Sequence, residues 1–270
     1  MIRTDIHMHS AFSADSEALP RDNVEAAIKK GLDTICFTDH IDYDFPDPEL
    51  NFDISLLDYF HELEELREEY REKLCILIGV EMGLQPHLGD RIQKTLADWP
   101  FDFVIGSQHV VYDADPYYPV AWQEHVPDEV YRRYFEETLT NVTALDCFDV
   151  LGHLDYVTRY GVTLPDGKND EIIRSNMDVI DEILKTLIRK DKGLEVNSAA
   201  YRQGLSYPNP NPIVIRRYLE LGGEIITVGA DAHRSRDVAA DFGRAESILK
   251  ECGVKTLYRF VQRKPQRVDF

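Results

Sequence analysis

The sequence of 270 residues has few basic side chains and no long apolar run. Lysine and arginine number 30 against 49 aspartates and glutamates, which gives a net charge of −19 at pH 7. Affinity for nucleic acids and anionic membranes comes largely from clustered lysine and arginine. No apolar run approaches the ~20 residues that a membrane-spanning helix needs. We therefore expect neither a nucleic acid nor a membrane as a partner.

Cysteine is also scarce. The sequence has four cysteines, all far apart and with no C-x-x-C pair: Cys36, Cys75, Cys147 and Cys252. This spacing predicts neither a zinc knuckle nor a redox pair, and buried, reduced thiols are the simplest interpretation. The first residues contain no basic region followed by an apolar core, so no signal peptide is predicted. We expect a cytoplasmic protein.

What the sequence does contain is an alternation of short apolar runs and amphipathic stretches. The runs predict β-strands at Ile2–His7, Thr34–Thr38, Cys75–Glu81, Phe103–Ser107, Phe148–Gly152, Leu194–Asn197 and Ile225–Gly229. Nearly continuous apolar runs are typical of parallel strands that helices cover. With no long linker, residues 1–270 predict one barrel-like α/β domain, and a doubly wound open sheet is the alternative. Thr256–Phe270 fits either an eighth strand or a packed tail.

Between the runs, apolar residues recur every three to four positions, as in amphipathic helices. This period predicts helices over Leu56–Tyr70, Tyr131–Leu145 and Ile173–Leu187. Cap-forming residues mark predicted helix starts at Asp53 and Asp128, and predicted helix ends at Gly31, Gly193 and Gly222.

Chemically versatile side chains follow the predicted strands. Six of the nine histidines, one glutamate and one aspartate lie at strand ends: His7, His9, His40, Glu81, His109, His153, Asp231 and His233. The carboxyl ends of the strands in a (β/α) barrel converge on one face, where active sites lie. Residues i and i+2 of an extended strand point to the same side, so His7 and His9 can bind one ion, and Asp231 and His233 repeat the spacing.

A single histidine after an apolar run is more often a core residue than a ligand. Six histidines at equivalent positions of successive strand–helix units indicate a metal centre instead. Imidazole and carboxylate without thiolate favour zinc, manganese or iron, and more than four ligands predict more than one ion. A hydroxide that bridges two ions is a nucleophile at neutral pH.

The order of these residues along the chain is specific. It runs His7-x-His9, Asp15, Thr38-Asp39-His40, Glu81, His109, His153, Asp231-x-His233. A chain with this order resembles the PHP (polymerase and histidinol phosphatase) superfamily, in particular its histidinol-phosphate phosphatases, nearly end to end. The resemblance implies a distorted (β/α)7 barrel with three divalent metal ions. It assigns the first ion to His7, His9, Glu81 and Asp231, the second to Glu81, His109 and His153, and the third to Asp15, His40 and His233.

The same resemblance implies roles for side chains around the ions. Glu81, Asp231 and His233 are the catalytic candidates. His40 and two arginines are the substrate-binding candidates: Arg159 follows the fifth predicted strand and Arg202 the sixth. A guanidinium group suits bidentate contact with phosphate. The activity that the resemblance implies is hydrolysis of L-histidinol phosphate to L-histidinol and phosphate, a step of histidine biosynthesis.

Other functions stay open at this stage. One is a different PHP phosphoesterase, such as a nucleotide or oligonucleotide 3′-end phosphatase or a protein tyrosine phosphatase. Another is a barrel that binds metal without catalysis. The oligomeric state is also open. The aromatic-rich stretch Tyr112–Pro127 fits either a lid over the site or simple packing, and His61, His87 and His125 fit no ligand position.

Overall fold

A computed structural model describes residues 1–47, 49–123, 125–160 and 168–270. Its strands are β1 (Thr4–Met8), β2 (Thr34–Phe37), β3 (His40–Ile41), β4 (Cys75–Gly83), β5 (Phe103–Ser107), β6 (Val150–Leu151), β7 (Gly193–Asn197), β8 (Ile226–Gly229), β9 (Leu257–Val261) and β10 (Lys264–Val268). Its α-helices are α1 (Pro20–Lys29), α2 (Leu56–Tyr70), α3 (Gly89–Asp98), α4 (Val120–Gln123), α5 (Pro127–Ala144), α6 (Lys168–Ser175), α7 (Met177–Arg189), α8 (Ala199–Arg202), α9 (Pro212–Glu220) and α10 (Phe242–Cys252). Among the described helices, none is both long and apolar enough to cross a membrane.

The main sheet is a nearly closed parallel barrel. Its strands follow the order β1-β2-β4-β5-β6-β7-β8, and the short β3 pairs with β4 beside this path. The sheet closes where β1 meets the end of β8: His9 N donates to Ala232 O (2.9 Å) and Asp231 N donates to His7 O (2.7 Å). The predicted distorted (β/α)7 barrel is confirmed, and the open-sheet alternative is wrong.

Strand β1 contains one extra residue relative to its neighbour. Asp5 pairs with Ile35, but Met8 pairs with Phe37, so three steps along β1 match two steps along β2. Such a β-bulge re-aims the side chains that follow it. Ile6 therefore lies in an apolar cluster of buried residues, while His7, one position later, turns toward other polar groups at the carboxyl end of the barrel.

The C-terminal tail is a β-hairpin and not an eighth barrel strand. Strands β9 and β10 pair antiparallel and form a separate sheet. Phe260 of β9 is buried in one cluster with Ile6, Cys36, Leu77, Phe103, Ile105 and Val150. Arg259 donates to Thr34 Oγ1 (2.6 Å), and Arg263 Nε donates to Asp149 Oδ2 (2.5 Å). Since these acceptors lie at the amino ends of β2 and β6, the hairpin covers the amino end of the barrel.

The helices pack on the outside of the barrel, and some of their boundaries differ from the prediction. Helix α2 occupies its predicted range, but its N-cap is Ser55, whose hydroxyl accepts from Asp58 N (3.5 Å), and not Asp53. Helix α5 starts at Pro127, so Asp128 lies in the first turn. The third predicted helix is divided at Asn176, which separates α6 from α7.

Of the three helix ends predicted at glycines, two are correct and one is wrong. Gly31 and Gly222 follow α1 and α9 with φ of 75° and 93°, the left-handed conformation that favours glycine. Gly193 belongs to β7, and Asp191 takes the positive φ after α7 instead. All four cysteines are free, but only Cys36 and Cys252 are buried, and Cys75 is exposed.

Candidate metal centre

The carboxyl end of the barrel brings all nine candidate ligands together, and the three groups that the resemblance implies adjoin one another. The first group is His7, His9, Glu81 and Asp231. His7 Nε2 lies 3.0 Å from Glu81 Oε2, and His9 Nε2 lies 3.3 Å from Asp231 Oδ1. The two histidine Nε2 atoms are 3.1 Å apart. All four side chains are buried, so little solvent reaches their ligand atoms.

The second group is Glu81, His109 and His153. Glu81 Oε1 lies 3.1 Å from His109 Nε2 and 2.9 Å from His153 Nε2. The two carboxylate oxygens of Glu81 therefore face different groups: Oε2 faces the first and Oε1 the second. This is the geometry of a carboxylate that can bridge two ions.

The third group is Asp15, His40 and His233, which lie nearer to solvent. Asp15 Oδ2 is 3.0 Å from His233 Nε2 and 3.7 Å from His40 Nε2. The ring of His9 stacks on both histidines of this group, with centroids 4.2 Å from His40 and 4.1 Å from His233. His9 thus lies between the first and third groups.

Asp231 and His233 do not repeat the extended geometry of His7 and His9. Strand β8 ends at Gly229, and Asp231 has a φ of 52°. A left-handed conformation is uncommon for residues other than glycine, but aspartate adopts it more often than most. The two residues therefore do not lie on one extended strand as predicted. Asp231 contacts the first group and His233 the third, while His233 Nδ1 is still 3.5 Å from Asp231 Oδ1.

Burial and neighbouring charges set the protonation of the centre. Burial raises the pKa of Glu81, but His7, His40 and His109 outweigh it and hold the pKa well below the usual range. Burial, with the charges of His233 and His40, lowers the pKa of His9 to about 3. Glu81 is therefore ionised and His9 neutral at pH 7, the forms in which carboxylates and imidazoles bind metal. Burial lowers the pKa values of His7, His40 and His109, but neighbouring carboxylates outweigh it and raise them, so these three histidines must release a proton when they bind an ion.

Two buried carboxylates at the centre escape the sequence prediction. His7 Nδ1 donates to Glu195 Oε1 (2.5 Å), and His109 Nδ1 donates to Asp42 Oδ1 (2.8 Å). The sixth predicted strand ends at Asn197, which is not a carboxylate. However, Glu195 precedes Asn197 by two positions and Asp42 follows His40 by two. The alternation of side chains along a strand is the signal that could have found both.

The two candidate arginines both reach the centre, but with different partners. Arg159 is buried, and its guanidinium donates to Asp231 Oδ2 (3.1 Å), Asn197 Oδ1 (2.8 Å) and Asn209 Oδ1 (2.7 Å). Arg202 Nη2 donates to the carbonyl of Asp231 (2.9 Å). Arg202 Nη1 is buried without a hydrogen-bond partner in the described part of the chain. Arg202 also lines the cleft above the three groups.

A family model described as the PHP domain matches residues 5–199 of the sequence. The chain belongs to the PHP domain family. Its similarity to a histidinol-phosphatase of Lactococcus lactis is 35% identity over 96% of this chain and 95% of the relative. Similarity to a probable histidinol-phosphatase of Clostridium acetobutylicum is 30% identity over 94% of this chain and 95% of the relative.

Among solved structures, the PHP chain is likewise similar to histidinol phosphatases. It is similar to the crystal structure of histidinol phosphate phosphatase from Lactococcus lactis, complexed with zinc, L-histidinol and phosphate. The TM-score is 0.88 at 33% identity, over 98% of each chain. A structure of a putative histidinol phosphatase from Listeria monocytogenes has a TM-score of 0.75 at 18% identity, over 89% of this chain and 98% of that one, which supports the fold.

The donor set of this PHP centre fits divalent metal ions. Four sets of three side chains each have ligand atoms within 4.8 Å of one another, and every donor is an imidazole or a carboxylate. Asp42 Oδ2 and His40 Nδ1 are both buried and lie 3.1 Å from each other. The buried carboxylates of the centre, Asp42, Glu81 and Asp231, lower the stability of the fold unless cations balance their charge. Bound cations would supply that balance.

A cleft of about 1210 Å³ opens above the PHP centre. Aromatic side chains line it: Phe45, Phe52, Tyr117, Tyr118, Tyr156 and Tyr160. Tyr117 and Tyr118 come from the stretch Tyr112–Pro127, of which Glu124 lies outside the described residues. Trp122 of the same stretch packs against Tyr131 of α5, with centroids 5.4 Å apart. The stretch therefore both lines the cleft and packs on the barrel.

The remaining histidines lie away from the three groups. His61 is exposed on α2 with Nε2 3.6 Å from Glu65 Oε1, and His87 contacts Asp44 (3.0 Å) at the surface. His125 stacks on Tyr112 with centroids 3.8 Å apart.

Proposed function

We propose that this PHP chain is a metal-dependent phosphomonoesterase that hydrolyses L-histidinol phosphate to L-histidinol and phosphate. The observation that carries the proposal is the buried Glu81, whose two oxygens face two different groups of candidate ligands at the floor of a cleft. Further support comes from the Lactococcus lactis phosphatase, which matches nearly the whole chain and was crystallised with zinc, L-histidinol and phosphate. Such an activity belongs to histidine biosynthesis.

The proposal includes three divalent ions, one for each group of candidate ligands. Zinc is the ion in the Lactococcus lactis structure, and manganese and iron suit the same donors. Divalent ions at such a site lower the pKa of coordinated water to near neutrality and offset charge on phosphoryl oxygens. Asp15 is a carboxylate in a group otherwise made of histidines, and an oxygen donor suits harder ions.

Side chains of the chain itself would position the substrate. Arg202 holds the carbonyl of Asp231 through Nη2 and lines the cleft, so its positive charge lies beside the place of a phosphoryl group. The guanidinium of Arg159 donates to Asp231 and is held in place by Asn197 and Asn209. Its positive charge is therefore already fixed beside the first group before a substrate binds. His40 lines the cleft beside Asp15 and can contact both an ion and the substrate. Among the catalytic candidates, His233 also lines the cleft, whereas Glu81 and Asp231 lie at its floor.

Arg202→Ala is expected to lower kcat/KM about tenfold to a hundredfold while the metal content stays unchanged. A charge-assisted hydrogen bond to phosphate contributes roughly 1.5–3 kcal/mol, and it strengthens as charge develops in the transition state. Steady-state kinetics and elemental analysis of the same preparation measure both quantities. Arg236→Ala is the matched control, because Arg236 lines the rim of the cleft with 72% of its side chain exposed. Unchanged kinetics in Arg202→Ala would remove Arg202 from the phosphate site.

The substrate assignment is tested by comparing three phosphate esters with the zinc-loaded protein. We expect kcat/KM for L-histidinol phosphate to exceed that for a nucleoside 3′,5′-bisphosphate and a phosphotyrosyl peptide by about a hundredfold or more. The net charge of −19 disfavours oligonucleotides in particular. Equal or better hydrolysis of either competitor would assign a different PHP phosphoesterase activity. Fewer than two ions per chain after reconstitution would favour a barrel without catalysis.

A further inference from the structure

Glu195 is a buried carboxylate in the middle of β7 that belongs to none of the three groups of candidate ligands. Its two oxygens accept hydrogen bonds from different sides of the centre. Oε1 accepts from His7 Nδ1 (2.5 Å), and Oε2 accepts from the backbone N–H of His153 (2.9 Å) and from Asn197 Nδ2 (3.2 Å). One side chain therefore contacts the first group through His7 and the second through the backbone of His153.

Strand β8, beside β7, leaves room for the hydrogen bond between His7 and Glu195. Gly229 ends β8 beside His7, and a Cβ at this position would lie 2.9 Å from Glu195 Oε1 and 2.2 Å from His7 Cβ. Any larger residue would push His7 and Glu195 out of place. The glycine and the carboxylate together hold the imidazole of His7 in one position.

The carboxylate also selects the tautomer of His7. A carboxylate oxygen only accepts, so the proton of a neutral His7 lies on Nδ1. The lone pair then lies on Nε2, the atom that faces Glu81 and His9. Carboxylates that hold a ligand histidine in this way fix its orientation and raise its basicity toward a metal ion. We propose that Glu195 is a positioning residue that holds His7 for metal binding and links it to the His153 segment. This inference rests on the metal binding in the proposed function.

Glu195→Gln tests the inference with a side chain of the same shape. Three donors point at the carboxylate, but an amide offers one oxygen and one NH2 group. Either His7 Nδ1 or the donors of His153 and Asn197 must then face an N–H group. We expect the dissociation constant for zinc, measured by competition with a chromogenic chelator, to rise about 10- to 100-fold. In the metal-free variant, ¹⁵N NMR is expected to show a weaker preference of neutral His7 for the Nδ1–H tautomer than in the wild type. An amide accepts that proton less strongly than a carboxylate when its oxygen faces Nδ1, and not at all when its NH2 group does.

Asp149→Asn is the matched control. Asp149 is also buried and accepts from a backbone N–H, that of Val104 (2.9 Å), and from Arg263 (2.5 Å), but it lies at the amino end of the barrel. We expect it to lower the melting temperature of the protein and to leave the zinc affinity unchanged. A general effect of removing a buried carboxylate would instead weaken zinc binding in both variants.

A second variant, Glu195→Asp, keeps the charge but shortens the side chain by one methylene, so that it no longer reaches His7. Weaker zinc binding in this variant supports the inference even where Glu195→Gln does not fold. Wild-type zinc affinity in either folded variant, or an unchanged His7 tautomer in Glu195→Gln, overturns it. Failure of the wild-type chain to bind zinc would overturn the proposed metal centre itself, so the two failures are distinguishable.

Discussion

Glu81→Ala is expected to abolish phosphatase turnover and to lower the metal content at the same time. Glu81 Oε2 faces His7 and His9, and Oε1 faces His109 and His153, so one truncation removes a donor from two groups. Without ions the pKa of water stays near 15.7 and not about 7, and we expect kcat to fall by at least about a thousandfold. Elemental analysis and a phosphate-release assay measure the two effects on one sample.

The control for this variant is a glutamate of α2. Glu65 lies on the solvent face with 71% of its side chain exposed, so Glu65→Ala is expected to keep wild-type activity and metal content. Glu81→Gln keeps the volume of the side chain but removes its charge, and it is expected to behave like Glu81→Ala. Full activity in either Glu81 variant would contradict the proposed metal-dependent mechanism as a whole.

Phe260→Ala is expected to lower the free energy of unfolding by about 3–5 kcal/mol, the usual cost of truncating a buried aromatic side chain to alanine. Phe260 is 3% exposed and stacks on Phe103 with centroids 5.1 Å apart, so its removal leaves a cavity inside the amino end of the barrel. Urea denaturation measures the loss. The folded fraction should keep its kcat/KM, because Phe260 and the candidate ligands lie at opposite ends of the barrel.

Phe270→Ala is the comparison for this prediction, since Phe270 follows the same hairpin but is only partly buried. Its cost is expected to be about 1 kcal/mol or less. An equally small loss in Phe260→Ala would show that the hairpin covers the barrel without contributing to its core.

The sequence predicts the barrel well because the information is local. Runs such as Cys75–Glu81 and Phe103–Ser107 are apolar on both faces, and covered parallel strands have this property. The histidines at the ends of such runs predict the place of the candidate site for the same reason. The position of a residue along its strand thus determines at which end of the barrel its side chain lies.

The features that escape prediction depend on contacts between distant parts of the chain. Strand alternation places Glu195 on the same side as Asn197, but its hydrogen bond to His7 spans 188 positions and has no local signal in the sequence. The tail forms a hairpin because Phe260 completes a cluster built from five different strands of the barrel. The left-handed turn at Asp231 follows from the seam between β1 and β8, where Asp231 N donates to the carbonyl of His7.

The hairpin at the amino end leaves the cleft at the carboxyl end as the passage for substrate and products. Glu81, at its floor, is 1% exposed, whereas Tyr117 on the wall is 58% exposed. In the proposed reaction the phosphoryl group would lie against the floor, and the amino alcohol between it and the mouth. We therefore expect the alcohol to leave before the phosphate. We also expect free phosphate to inhibit competitively with the substrate, which initial rates at several phosphate concentrations would measure.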